Sequence, residues 1–231
     1  MELTKEQIIK IDNYISACGI KFYDVKAELV DHFASILEQR LKKEPNLDIK
    51  KAIIEEHKKF SDLGFKKLLK TKTKAVHKRF YKLTFSHLQS FFKLPKVLIT
   101  VALFFIFKEL MNLFENKEYF FDLLSGISLL IIVQLLIRIS IEFGSQRERF
   151  NRKEHFLVLN KSDMFLQLIN TLFIFFNSSV TFRNNQSFTN TNYNLIHLGV
   201  FVLLLLFYWS GEYVFYKNKQ TVKKQYPHVL I

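Results

Sequence analysis

One cysteine, three prolines and six glycines among 231 residues exclude much before any helix is drawn. Cys18 alone cannot build a disulfide framework or a thiolate-rich metal site, and an inert thiol in a reducing cytosol is expected. So few glycines and prolines leave little room for the turns that β architecture needs, which makes an all-α fold the expectation. Acidic residues are scarce too: 21 Asp and Glu stand against 34 Lys and Arg, for a net charge of +13. That excess calls for a nucleic acid or an anionic membrane surface as partner. The opening MELTKEQ has no basic flank, apolar core or small-residue cleavage site. No cleavable signal peptide is expected, and the first span must serve as its own insertion signal. The sequence also lacks a phosphate-cradling glycine loop, a nucleophile elbow and an HExxH motif. Enzyme activity therefore has no residue-level support, and no cofactor or metal is expected.

What the chain has in quantity is hydrocarbon, with 49% hydrophobic residues and 26 Phe. The stretch 119–137, YFFDLLSGISLLIIVQLLI, carries ionisable groups only at Tyr119 and Asp122, at its leading end. As a helix it reaches roughly 28 Å, close to the ~30 Å of a bilayer's hydrocarbon core. Ser125, Gly126, Ser128 and Gln134 are too few and too weakly polar to give it the wet face of a soluble helix. A transmembrane helix is predicted. Three further spans follow the same logic, so that four are expected at about 94–114, 119–138, 156–180 and 194–216. The first is the weakest, because Lys108 and Glu109 fall about two-thirds of the way along it; Pro95 suits its first turn. The last carries Trp209, Tyr213 and Tyr216 as an aromatic belt at its far end. Membrane spans tip the choice of partner toward anionic headgroups and away from nucleic acid.

Residues 1–64 read as a compact cytosolic helical domain. Thr4 and Gln7 form a capping-box pattern, Ile8, Ile11, Tyr14 and Ile15 share a face, and Gly19 offers a stop. A second helix over about 24–43 carries Val25, Leu29, Phe33, Leu37 and Leu41, and Glu44-Pro45-Asn46 ends it. Asp48 can cap a third helix bearing Ile49, Ala52, Ile53 and Phe60. Three helices of this size bury a modest core, so help from a partner or from the membrane part is expected.

Residues 65–93 form a basic amphipathic juxtamembrane helix. Lys66, Lys67, Lys70, Lys74, Lys78, Arg79 and Lys82 are its expected membrane-surface binding residues, while Phe65, Leu69, Val76, Phe80 and Leu83 supply an apolar stripe at helical spacing. Orientation follows from loop charge. Arg147, Arg149, Arg152 and Lys153 follow span two and Lys217, Lys219, Lys223 and Lys224 stand in the tail at 217–231, whereas the other two loops offer Lys117 and Arg183. Every strongly basic connection then lies on one side, which places both termini in the cytoplasm of a multi-pass membrane protein.

The opening LTKEQIIKIDNYI and the following FYDVKAELVDHFASILEQRL resemble a family of uncharacterised flavobacterial membrane proteins that set a short helical domain before several spans. AELVDH is the most specific part of that match. A looser likeness links the domain to the HAAS-type modules that precede spans in other bacterial proteins. The resemblance implies a bacterial cytoplasmic-membrane protein of no assigned activity, and it carries over no catalytic residue.

Two constellations remain. Glu28 and His32 lie four apart on one helix, with Glu56 and His57 on the next. They offer either metal-ligand spacing or, on the favoured reading, ion pairs and hydrogen bonds that tie helices together. Arg138, Glu142, Lys161, Asp163 and Glu212 all fall at one cytoplasmic depth of the spans. Salt bridges between helices and snorkelling explain them better than a solute or proton path, which would want charge at the midplane. The function expected is a non-enzymatic interaction or regulatory protein whose helical domain docks a protein partner or a second copy of the chain. The alternative is a small transporter or an accessory subunit of a transport complex.

Overall fold

The computed structural model describes residues 2–59, 64–148, 155–184, 188–227 and 229, without the side chains at 139, 141–148 and 161–163. The described residues are helical and include no strand, as their composition demands. In chain order the helices are α1 (Lys5–Ala17), α2 (Tyr23–Lys43), α3 (Ile49–Lys59), α4 (Gly64–Ser90), α5 (Val97–Leu113), α6 (Lys117–Glu148), α7 (Leu157–Thr181) and α8 (Thr191–Gln225). They fall into two compact units. One takes the residues up to Lys78 together with the described part of 153–161; the other takes those from Arg79 onward and 162–227. The division falls inside α4, between Lys78 and Arg79.

In the first unit the local signals act as expected. Thr4 Oγ1 accepts the Gln7 N–H and the Gln7 side chain accepts the Thr4 N–H, a complete capping box that starts α1. Gly19, at φ +90°, reverses the chain after α1 in a region that side chains with a Cβ avoid. On α2, Val25, Leu29, Phe33, Leu37 and Leu41 recur every four residues and are all buried. Asp48 Oδ1 accepts the N–H groups of Lys50 and Lys51 at the head of α3. The core closes around Ile11, Ile15, Phe33 and Leu37, none of them exposed.

This core takes help from far along the chain. Leu157, 1% exposed, packs into it, and Phe22 pairs with His155 in an isolated parallel bridge in which the Tyr23 N–H donates to the His155 carbonyl. Asp24 then caps α7 from a distance. Its Oδ1 accepts the Leu157 N–H at 2.9 Å and its Oδ2 the Val158 N–H at 3.4 Å.

In the second unit three helices are long and apolar enough to cross a membrane: α6 up to Arg138, α7 and α8, with mean hydropathies of 2.3, 1.3 and 1.7. α8 is the central one, since 61% of its apolar window is buried against 33% for α6. The outward face of α6 is apolar as well: Leu123, Leu130 and Val133 are exposed while Phe121, Leu124 and Leu135 are buried. Two helices are longer than a span needs, because α6 continues to Glu148 and α8 through the basic tail to Gln225. α5 is the short one, its 17 residues reaching about 25 Å. Pro95 sits in the turn before α5 and not in its first helical turn.

Candidate functional site

The seven basic residues expected to meet the membrane surface are Lys66, Lys67, Lys70, Lys74, Lys78, Arg79 and Lys82, and all seven lie on α4 with their charged ends open to solvent. The apolar stripe between them is largely consumed by protein. Phe65 is 2% exposed and stacks on the His57 ring at 4.3 Å, inside the first unit. Phe80 is 3% exposed and meets Phe165 at 5.2 Å, inside the second. Periodicity says that such a stripe is buried and not against what; past Phe80 the helix keeps apolar exposure beside its cations, with Tyr81 46%, Leu83 36% and Phe85 57% exposed. Lys72, on the same helix, pairs with Glu28 of α2 at 2.6 Å in a solvent-exposed bridge.

Of the expected ion cluster, the structure brings Arg138 and Glu212 together. Nη1 of Arg138 lies 2.5 Å from Oε1 of Glu212, with both side chains less than one-fifth exposed. The guanidinium also sits over the Phe215 ring, 4.6 Å from its centroid. The side chains of Glu142, Lys161 and Asp163 lie outside the described residues. The pair has the geometry of a clamp between α6 and α8, with a desolvated cation neutralised at close range.

The Glu28, His32, Glu56 and His57 quartet does not converge. Glu28 goes to Lys72, Glu56 to Lys59 at 2.6 Å, and the His57 Nδ1 hydrogen-bonds the Tyr14 hydroxyl at 2.7 Å. These contacts do tie helices together, α2 to α4 and α1 to α3, with partners other than those the spacing suggested. Among the described residues no three His, Cys, Asp or Glu side chains gather at metal-binding range. Burial pushes the Cys18 thiol above its ordinary pKa, which keeps it protonated and a poor nucleophile.

Sequence reasoning missed two features. Ser125, Ser128 and Asn177 form a closed polar clasp between α6 and α7: the Ser125 hydroxyl donates to Asn177 Oδ1, and Asn177 Nδ2 donates to Ser128 Oγ and to the Phe173 carbonyl. A signal exists in the sequence, two serines one turn apart and an asparagine on another apolar helix, but each residue by itself is only weakly polar. The clasp satisfies its own donors and acceptors, so it serves as glue between helices and offers little to a solute. At the opposite end of the bundle from the ion pair, Arg183 sits among the rings of Phe121, Phe188 and Tyr193 at 4.9, 4.3 and 5.3 Å and donates to Asn194 Oδ1 at 2.6 Å. One cation thus joins the end of α7 to Phe188 and to the head of α8.

With this geometry in view, the chain was compared with known proteins. No family model, no curated protein and no solved structure matches it.

Proposed function

We propose that this chain is a multi-pass, non-enzymatic protein of a bacterial cytoplasmic membrane, in which α5 to α8 form four spans and a cytosolic helical domain docks a protein partner. The observation that carries the docking role lies on the first unit. Its core is closed and most of its surface is charged or polar, yet Ile9 is 57% exposed, Ile8 38% and Ile54 46%. Exposed isoleucines on two helices of a small, highly charged unit suit a partner's apolar surface better than water. The apolar outward face of α6 supports the membrane assignment, and the basic surface of α4 supports contact with anionic headgroups. Clustering of basic residues after α6 and at the end of α8 supports cytoplasmic termini.

The docking reading predicts that Ile9→Glu with Ile54→Glu abolishes co-purification of a stoichiometric partner in mild detergent while leaving thermal melting within a few degrees of the parent. A partner retained by that variant would refute it, and a stoichiometric transport ATPase among the partners would favour an accessory transport subunit instead. Orientation is tested by single cysteines in a Cys18→Ser background. An impermeant thiol reagent applied to intact cells should label positions Lys117 and Asn184 and spare Gln220. The reverse pattern would overturn the orientation, and failure at Lys117 alone would mean that α6 and α7 do not both cross, since two crossings put Lys117 and Asn184 on one side.

A further inference from the structure

α4 stops at Ser90, and the chain turns through 91–96 before α5 starts at Val97. The turn is held firmly. Thr100 Oγ1 donates to the Phe91 carbonyl at 2.8 Å, Ser90 Oγ donates to the His87 carbonyl at 2.6 Å, and Lys96 Nζ reaches Ser90 Oγ at 3.2 Å. Beside this turn α5 and α8 part to leave an open groove of about 470 Å3. Phe92, Val101 and Phe105 form one wall, and Gly199 and Leu203 belong to the other. Gly199 is the reason for the space: a Cβ there would meet a single neighbour, Phe104 Cε2 at 4.0 Å, so any larger side chain would grow into the groove.

The groove is of the size of small-ligand sites, and its lining is apolar almost throughout. A surface of this kind does not hold water well, whereas a hydrocarbon chain restores the dispersion contacts that each wall lacks. Charge selects which hydrocarbon. Lys93 and Lys96 stand in the turn at the Val97 end of the groove, with Lys93 exposed and Lys96 held over the Phe91 ring at 5.1 Å. The region is electropositive enough to act on a neighbour: burial, and after it the charges of Lys96 and Lys217, hold the His87 imidazole below its ordinary pKa.

We propose that the groove between α5 and α8 binds one acyl chain of a phospholipid whose anionic headgroup is held by Lys93 and Lys96. The site rests on the membrane assignment made above. It would seat a single lipid against the shortest of the apolar helices, beside Leu203 of α8, which stays 46% exposed there.

Native mass spectrometry of the full chain in detergent tests this, with palmitoyl-oleoyl phosphatidylglycerol, phosphatidylcholine of the same chains, and palmitate as probes. Phosphatidylglycerol should bind more tightly than phosphatidylcholine, with each lysine contributing up to about fivefold. Lys93→Gln with Lys96→Gln should bring phosphatidylglycerol down to the phosphatidylcholine level and leave phosphatidylcholine unchanged. Gly199→Leu should remove the tight adduct; should that variant fail to fold, Val101→Phe closes the same space from the opposite wall. Equal binding of the two phospholipids to the parent chain, or a tight adduct that survives both occluding variants, would overturn the site. Palmitate binding as tightly as phosphatidylglycerol would overturn the phospholipid assignment. Membranes washed in alkaline carbonate separate this from the reading beneath it: release of the chain would sink the membrane assignment, whereas a retained chain indifferent to headgroup charge would sink the lipid site alone.

Discussion

Arg138 and Glu212 lie 74 positions apart in the chain and 2.5 Å apart in space, a clamp between α6 and α8. Removing one partner leaves a charge with little water to turn to. Glu212→Gln should therefore destabilise the protein toward the lower end of the roughly 3–5 kcal/mol seen when buried pairs are broken, since the two side chains keep 19% and 15% exposure. Melting in detergent should show the loss, and Arg138→Met with Glu212→Leu should recover most of it. A double variant as unstable as the single one would show that the pair supplies net attraction beyond mutual neutralisation.

Gly211 marks the closest approach of α7 and α8. A Cβ at that position would lie 3.0 Å from Ile169 Cδ1, 3.1 Å from Phe165 Cε1 and 3.3 Å from Leu166 Cδ2. Gly211→Val should cost about 1–3 kcal/mol by overpacking. Gly211→Ala with Ile169→Val, which deletes the nearest methyl, should melt above Gly211→Ala alone. Equal melting of those two variants would mean that the backbones separate without cost.

Asp24 links the first unit's stability to pH. Burial raises its pKa, outweighing the backbone N–H groups of Leu157, Val158 and Val25, which favour the carboxylate. The folded state therefore keeps the Asp24 proton at a pH where the unfolded chain has lost it. Its contribution is fully present below the ordinary carboxylate pKa of about 3.9 and is lost as pH rises through the raised value. Asp24→Asn should flatten this part of the pH dependence when melting is followed from about pH 4 to 7. An identical profile in parent and variant would exclude Asp24 as its source.

The Arg183 cage calls for a guanidinium and not merely a positive charge. A planar cation can lie against Phe188 while donating to Asn194, whose own Nδ2 donates to the Phe188 carbonyl at 2.8 Å. Arg183→Lys should lose about 1–2 kcal/mol, and Arg183→Met somewhat more, because Asn194 Oδ1 would lose its donor. Melting of Arg183→Lys at the parent temperature would reduce the cage to a charge effect.

Much of this protein is decided by short-range chemistry that the sequence states outright. The Thr4 and Gln7 capping box, the stop at Gly19, the four-residue repeat from Val25 to Leu41 and the Asp48 cap each involve residues within a few turns of one another. Hydropathy along α6, α7 and α8 is likewise a local sum, which is why all three are legible as span-length helices from residue order alone. Even the shared depth of Arg138 and Glu212 follows from counting residues along apolar helices.

Only the tertiary structure decided what meets what. Asp24 caps a helix that begins 133 residues later, and nothing near either residue announces the other. Phe65 and Phe80 share one stripe in the sequence and enter two different cores, because an apolar periodicity demands burial without naming the partner. In the bundle the ambiguity is deeper. Lipid and neighbouring helices are equally apolar, so the hydrophobic pattern of α6 does not distinguish Leu124, buried in the core, from Leu130, 71% exposed. That distinction was made by the few groups whose energies depend on direction and fit: the Ser125, Ser128 and Asn177 clasp, the Arg138 to Glu212 pair, and the close approach at Gly211, where a Cβ would press on Phe165, Leu166 and Ile169.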